Sequence, residues 1–319
     1  MLKKPGMTIV RKGVLGGLIL LSFSAKAQQS PQFNMGFVDR VFTNSGEAGN
    51  TVEDLFKATL GNRLEVTSFE GAPVTNVISL HGPVTLFGIM SGVGITLYND
   101  MVGSLRAPGM SIMYAYRQPL ADGWLGIGID LGMLSSWYAN SSGWKLPDGG
   151  SIDPAVPTRE EAALSFDMGL GASYYSNTWF GGISCKHLTE PSVGVERITQ
   201  LKRNVYMHAG YKYVVGESQW MIMPMLDLVT DFAQSSCRIH AAAWYGNKYL
   251  LGLGYRWGQA VTGMLGIDIF NGVKVVYAYD YLTSKLSRFS GGCHELTVSY
   301  SFSLIVPRGT QRYKSIRYL

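Results

Sequence analysis

Tyr249, Leu251, Leu253, Tyr255 and Trp257 alternate with Gly252, Gly254, Arg256 and Gly258, and this stretch decides the fold. Working outward, Leu265, Ile267 and Ile269 oppose Gly266 and Asp268 before an Asn271-Gly272 turn. Val273, Val275, Tyr277, Tyr279 and Tyr281 then alternate with Lys274, Ala278 and Asp280. Finally His294, Leu296, Val298, Tyr300, Phe302 and Leu304 face away from Cys293, Glu295, Thr297, Ser299, Ser301 and Ser303. Period two with one apolar face is a strand signal, and Asn-Gly between two such runs marks a hairpin.

The same alternation extends back through most of the chain. Leu125, Ile127, Ile129, Leu131 and Met133 oppose Gly126, Gly128, Asp130 and Gly132, while Leu164, Phe166, Met168 and Leu170 oppose Ser165, Asp167, Gly169 and Gly171. Strands are expected near 58–68, 75–82, 84–97, 109–118, 123–137, 162–175, 177–186, 203–214, 219–230, 236–245, 248–257, 261–270, 273–282 and 292–304, fourteen in all. The ninth is ambiguous because it contains Pro224. Minimal turns are expected at Gly82-Pro83, Ser176-Asn177, Gly246-Asn247 and Asn271-Gly272, and long loops at 98–108, 138–161, 187–202 and 283–291.

Residues 1–27 indicate what the apolar face meets. Lys3, Lys4, Arg11 and Lys12 precede an apolar run from Val14 to Phe23, and Ala25-Lys26-Ala27 makes a small-x-small cleavage pattern. That is a secretory signal peptide, since a membrane-spanning helix needs roughly 20 apolar residues. The chain carries 27 Lys plus Arg against 22 Asp plus Glu, and removing the five basic residues of the signal leaves the two signs balanced. A basic balance therefore gives no case for nucleic-acid binding. Cys185, Cys237 and Cys293 have no paired spacing, which argues against a disulfide framework or a Cys metal site.

Alternating strands of about ten residues, short turns at one end and longer loops at the other, and Tyr and Trp near strand ends describe an all-β, transmembrane outer-membrane β-barrel of about 14 antiparallel strands. The domain plan is a signal peptide at 1–27, a periplasmic lead-in or partial plug at 28–56, the barrel at 57–304 and a basic tail at 305–319. An even strand count puts both termini on one side, and the short turns make that side the periplasm. The tail carries Arg308, Arg312, Lys314 and Arg317, with Tyr318 beside the end. It reads either as a solvated terminus or as a docking peptide for an acidic periplasmic partner. The abundance of inward glycine suggests that something occupies the interior, although glycine opposite aromatic residues also relieves crowding.

Five histidines invite a search for catalysis. His208 and His240 fall on inward faces, as do Asp167, Asp227 and Asp268, but no Gly-x-Ser-x-Gly elbow or His-Glu-x-x-His motif is present. Polar side chains satisfying one another in the lumen account for them, and no cofactor is expected. Arg256 and Glu295 are candidates for an ion pair within the lumen.

The chain resembles the PorP/SprF membrane proteins of the Bacteroidota type IX secretion and gliding machinery. The carriers are Phe69-Glu70-Gly71-Ala72-Pro73, Ser79-Leu80-His81-Gly82-Pro83, Gly92-Val93-Gly94, Tyr98-Asn99-Asp100 and Tyr114-Ala115-Tyr116-Arg117. Leu253 to Gly258, Tyr277 to Tyr281, Ser284-Lys285-Leu286, Ser290 to Glu295 and the closing Lys314 to Leu319 continue the pattern in order. Asn44-Ser45-Gly46-Glu47-Ala48-Gly49 stands where the family carries an Asn-Pro-Ala-Tyr-Ala-Gly-like stretch. The resemblance implies a non-enzymatic component of the cell outer membrane that supports secretion or surface attachment of cargo with C-terminal sorting domains. Its implied partners are periplasmic ring lipoproteins, a peptidoglycan-binding lipoprotein and adhesin C-terminal domains, besides membrane lipids. The alternative function is a channel or porin for small solutes.

Overall fold

The computed structural model describes residues 32–51, 55–68, 70–138, 163–193, 199–270, 272–288 and 290–304. The signal region and the tail lie outside the described residues. Fourteen strands form the wall: β1 (Phe56–Leu64), β2 (Val74–Leu86), β3 (Ile89–Val102), β4 (Leu105–Leu120), β5 (Gly123–Tyr138), β6 (Ala163–Ser176) and β7 (Trp179–Lys186). They continue with β8 (Asn204–Tyr211, resuming at Tyr213–Val214), β9 (Trp220–Thr230), β10 (Ser235–Tyr245), β11 (Tyr249–Arg256), β12 (Ala260–Phe270), β13 (Val273–Leu282) and β14 (Cys293–Phe302).

Each strand pairs antiparallel with its sequence neighbours, and β1 pairs with β14 from Phe56↔Phe302 to Leu64↔His294, which closes the barrel. Outward positions such as Leu60, Ile78, Leu97, Met110, Ile127, Leu170, Leu253 and Leu265 are exposed, while their neighbours one residue away are buried. A surface of that composition suits hydrocarbon, and closure pairs each strand on both sides over most of its length. Among the described residues no helix is long and apolar enough to cross a membrane.

Two turn assignments change. Gly82 and Pro83 lie inside β2, and the turn is Phe87-Gly88, with φ of 52° and 80°. Pro83 is tolerated there because β1 stops pairing with β2 at Lys57↔His81, so beyond that point β2 is an edge on that side. Gly82 is needed because a β-carbon would sit 2.4 Å from the Phe56 ring. The expected loop at 98–108 is mostly strand: β3 runs to Val102 and β4 starts at Leu105, leaving Gly103-Ser104 as the turn.

The ninth strand forms despite Pro224. Pro224 pairs with Ala241 on β10, while on its other side the β8 ladder skips from Gly210↔Met225 to Tyr213↔Ile222. The missing proline N–H thus leaves β8 interrupted directly opposite.

The connections differ at the two ends. At the end where β1 begins and β14 finishes, the links are 87–88, 121–122, 177–178, 215–219, 246–248 and 271–272. At the far end 103–104, 231–234 and 257–259 are also short, but 65–73, 187–203 and 283–292 are longer, and 187–203 carries a two-stranded ribbon (Ser192–Val193 with Thr199–Gln200). Much of the loop expected at 138–161 lies outside the described residues.

Candidate functional site

Residues 32–51 run inside the barrel and touch the wall on nearly every side. The segment folds into two short 3-10 turns, Met35–Phe37 and Ser45–Glu47, with a further turn between them in which the Thr43 and Asn44 N–H groups donate to the Arg40 carbonyl. These turns satisfy only part of its backbone, and remaining backbone groups and polar side chains find partners on the wall.

The first anchor is ionic. The Asn34 backbone N–H donates to both Glu295 oxygens at 2.8 and 2.7 Å, and Asn34 Nδ2 donates to Asp280 Oδ1 at 2.9 Å. Arg63 bridges the same two acids, with Nη1 2.9 Å from Glu295 and Nη2 2.7 Å from Asp280, and its Nε donates to Glu65 at 2.9 Å. Arg238 Nη1 donates to Asn34 Oδ1 and to the Phe33 carbonyl, each at 2.7 Å. Arg63 is only 1% exposed and Asp280 fully buried, so each charge depends on the others being present.

Arg256 and Glu295 therefore share one cluster but take different partners. Glu295 is held by Arg63, and Arg256 reaches Asp280 at 3.5 Å. Strand register explains this. Arg256 lies across from Arg238, and Glu295 lies across from Arg63 on one side and Ala278 on the other.

The second anchor is Asp39. It accepts from Thr59 at 2.7 Å and Ser79 at 2.9 Å, and lies 3.4 Å from His81. Burial opposes its charge, but His81, Lys57 and the Thr59 hydroxyl more than offset that and hold the carboxyl well below the usual carboxylate range. The Lys57 ammonium donates to the neighbouring Val38 carbonyl.

The third anchor is Asn44 to Gly49. Asn44 donates to the Ala172 carbonyl at 3.0 Å, Ser173 donates to the Gly46 carbonyl at 2.8 Å, and Ser184 to the Thr43 carbonyl at 2.7 Å. Glu47 meets His208 at 3.0 Å and Arg40 at 3.3 Å. Burial works against the Glu47 charge as well, and Arg40, His208 and Asn50 outweigh it, again lowering the carboxyl below its ordinary range. The backbone approaches the wall so closely that side chains there are excluded. A β-carbon on Gly92 would lie 1.9 Å from the Ala48 oxygen, on Gly126 2.2 Å from the Gly46 oxygen, and on Gly128 2.3 Å from the Ser45 oxygen.

Between the anchors the packing is apolar. Val38 sits among Ala242, Trp244, Leu250, Met264 and Val276, and Val41 and Ala48 sit with Met113 and Ala115. Phe37 lies against Phe180, Met223 and Met225 and meets the His240 ring at a tilt, with ring centroids 4.3 Å apart.

The residues weighed for catalysis are distributed among these contacts. His208 is taken by Glu47, His240 lies 2.8 Å from Asp227, and Asp167 is paired with His187 at 2.7 Å. Asp268 lies on β12 across from Lys274. Among the described residues no group of His, Cys, Asp and Glu is arranged to hold a metal ion. The candidate docking residues Arg308, Arg312, Lys314, Arg317 and Tyr318 lie outside the described residues. The sequence reading missed Asn34, Asp39 and Glu47 as anchors; the inward glycines of β3, β5 and β6 mark where residues 44–49, Glu47 among them, pass against the wall, and no such signal marks Asn34 or Asp39.

The chain is similar, at low sequence identity, to several solved structures. A TodX deletion mutant described as a monoaromatic hydrocarbon channel is 12% identical, with 82% of this chain and 93% of that one covered and a TM-score of 0.49. The Ralstonia pickettii toluene transporter TbuX is 12% identical, covering 82% and 92%, with a TM-score of 0.46. The Acinetobacter baumannii outer membrane protein Omp33 is 10% identical, covering 78% and 98%, with a TM-score of 0.45. No curated protein matches the chain. The family described as type IX secretion system membrane protein PorP/SprF matches residues 25–300, nearly the whole barrel and the segment inside it, and the chain belongs to that family.

Proposed function

We propose that this protein is a non-enzymatic interaction module of the type IX secretion machinery. In this reading it supports secretion or surface attachment of cargo bearing C-terminal sorting domains and couples the outer membrane to periplasmic ring lipoproteins and a peptidoglycan-binding lipoprotein. Both termini lie in the periplasm, on the side of the short turns, and the basic tail with Arg308, Arg312, Lys314, Arg317 and Tyr318 docks an acidic partner there. The observation that carries the proposal is the occupied lumen. A segment bonded to walls as far apart as Ala172 and Glu295 obstructs the route a porin needs.

Affinity purification from native outer membranes in mild detergent, with the tag in a far-end loop, tests the reading. Recovery of ring lipoproteins, a peptidoglycan-binding protein or an adhesin C-terminal domain is expected, and reversing the tail charges should reduce it. In planar bilayers the protein should conduct far less than a variant lacking residues 32–51. Recovery of the barrel alone, together with wild-type conductance of a defined solute, would replace this proposal with the channel reading.

A further inference from the structure

The outer face of β1 to β4 departs from the apolar surface of the rest of the wall. Register sets Asn62 beside Asn76, and Asn76 beside Asn99, on the outward side of three adjacent strands. Asn62 Nδ2 donates to Asn76 Oδ1 at 2.7 Å. One row toward the terminal end, Leu60, Ile78, Leu97 and Met110 are all exposed. One row toward the far end stand Leu64, Val74, Met101 and Arg106, consecutive in register.

Arg106 is set apart by its direction. Among the described strands, Lys57, Arg63, Arg117, Lys186, Arg238, Arg256 and Lys274 all occupy inward positions, and Arg106 alone of the Lys and Arg residues faces outward. Its Nη1 donates to the Gly103 and Leu105 carbonyls at 2.6 and 3.0 Å, and no carboxylate among the described residues forms an ion pair with it. Above it the 65–73 loop forms a ledge, tied down by Gly103 N–H donating to the Gly71 carbonyl at 2.8 Å. Beneath the ledge is a recess of about 480 Å³ lined by Leu64, Ala72, Pro73, Val74, Met101 and Arg106. Glu65 also lines it, with its carboxylate held by Arg63.

A cation, a row of amides and an apolar recess thus meet at the upper edge of the lipid-facing band. The cation requires an anionic group, the amides require hydroxyl or carbonyl partners, and the recess and the band below require acyl chain. We propose that this face binds one phosphorylated glycolipid of the outer leaflet. Its phosphate sits on Arg106, its sugar hydroxyls on the asparagine row, and an acyl chain runs down from the recess. The proposal rests on the orientation given above, in which the far end faces the cell exterior.

Native mass spectrometry of the detergent-solubilised barrel titrated with lipid A tests it. The expected result is one lipid A per barrel, about tenfold weaker binding for Arg106→Ala, and a similar loss on removing the lipid's phosphates. Arg106→Lys should retain part of the affinity, and Asn76→Ala should weaken both phosphorylated and dephosphorylated forms. Folded electrophoretic mobility checks that each variant is intact. Unchanged binding by Arg106→Ala, indifference to phosphate, or tighter retention of a plain phospholipid would each overturn the site. Labelling of Ser68→Cys on intact cells by an impermeant maleimide, above wild-type background, separates the two readings. Labelling without lipid binding rejects the site alone, whereas no labelling rejects the orientation and the outer-leaflet lipid with it.

Discussion

The wall from β3 to β7 and the wall from β10 to β14 hold the same buried segment by opposite means. The first gives up side chains: Gly92, Gly126 and Gly128 let the backbone of residues 45–48 lie almost against the strand. The second supplies charge: Arg238, Arg256, Asp280 and Glu295 meet Asn34 and Arg63 in a cluster shielded from solvent. A steric fit fails by displacement, which leaves the strands paired. A buried ionic cluster fails by leaving a charge without a partner, which penalises the folded barrel itself.

This difference ranks the expected effects. Arg63→Met removes the ion-pair partner of Glu295 and leaves Asp280 with only the longer contact to Arg256, and should cost roughly 3–5 kcal/mol. It should lower the temperature at which the folded barrel loses its fast electrophoretic mobility, with partial recovery when Asp280→Asn is added. Gly128→Leu should cost less, about 1–3 kcal/mol, because the segment moves away while the ladder survives. Its larger effect should be on conductance, which rises as residues 45–48 leave the wall. A Gly128→Leu barrel that melts below Arg63→Met would invert the ranking and make steric fit the dominant tie. The smallest effect is that of pH. The Asp39 and Glu47 carboxyls are both depressed by their neighbours, so their contribution is complete above the ordinary carboxylate range and lost only as pH falls below it. Thermal stability should be flat between pH 8 and pH 5 and decline below about pH 4. A decline beginning well above the carboxylate range would mean that Asp39 and Glu47 do not carry the dependence.

How much of this was legible in the sequence follows from which solvent each residue meets. The wall was readable because hydrocarbon outside and a polar interior impose strict alternation, as in Leu253, Gly254, Tyr255 and Arg256. Turn positions were less readable. Gly82-Pro83 has the composition of a turn, yet its glycine makes room for Phe56 and its proline occupies an edge that β1 leaves unpaired. Residues 34–49 show no period because they are held from several directions at once, by Glu295, Thr59, Ala172 and His208. Arg256 and Glu295 were recognisable as inward, but their partners depend on registers set across the β10–β11 and β14–β1 junctions, which local pattern does not carry.

The junction of β1 with β14 also has a bearing on how the molecule is assembled. It joins residues as far apart as Phe56 and Phe302, and the Asn34 contact to Glu295 spans 261 positions. Such pairings form slowly, because the intervening chain must be gathered before any of them is rewarded. The N-terminal segment is the first of the described chain to be synthesised, yet its anchors on β10 to β14 are among the last to exist. Zipping that junction therefore commits the segment to the inside at the moment the wall becomes continuous. A barrel whose last strand is cut away would expose residues 32–51 to protease while leaving the earlier hairpins formed, so protection of the segment is a clock for the final step of biogenesis.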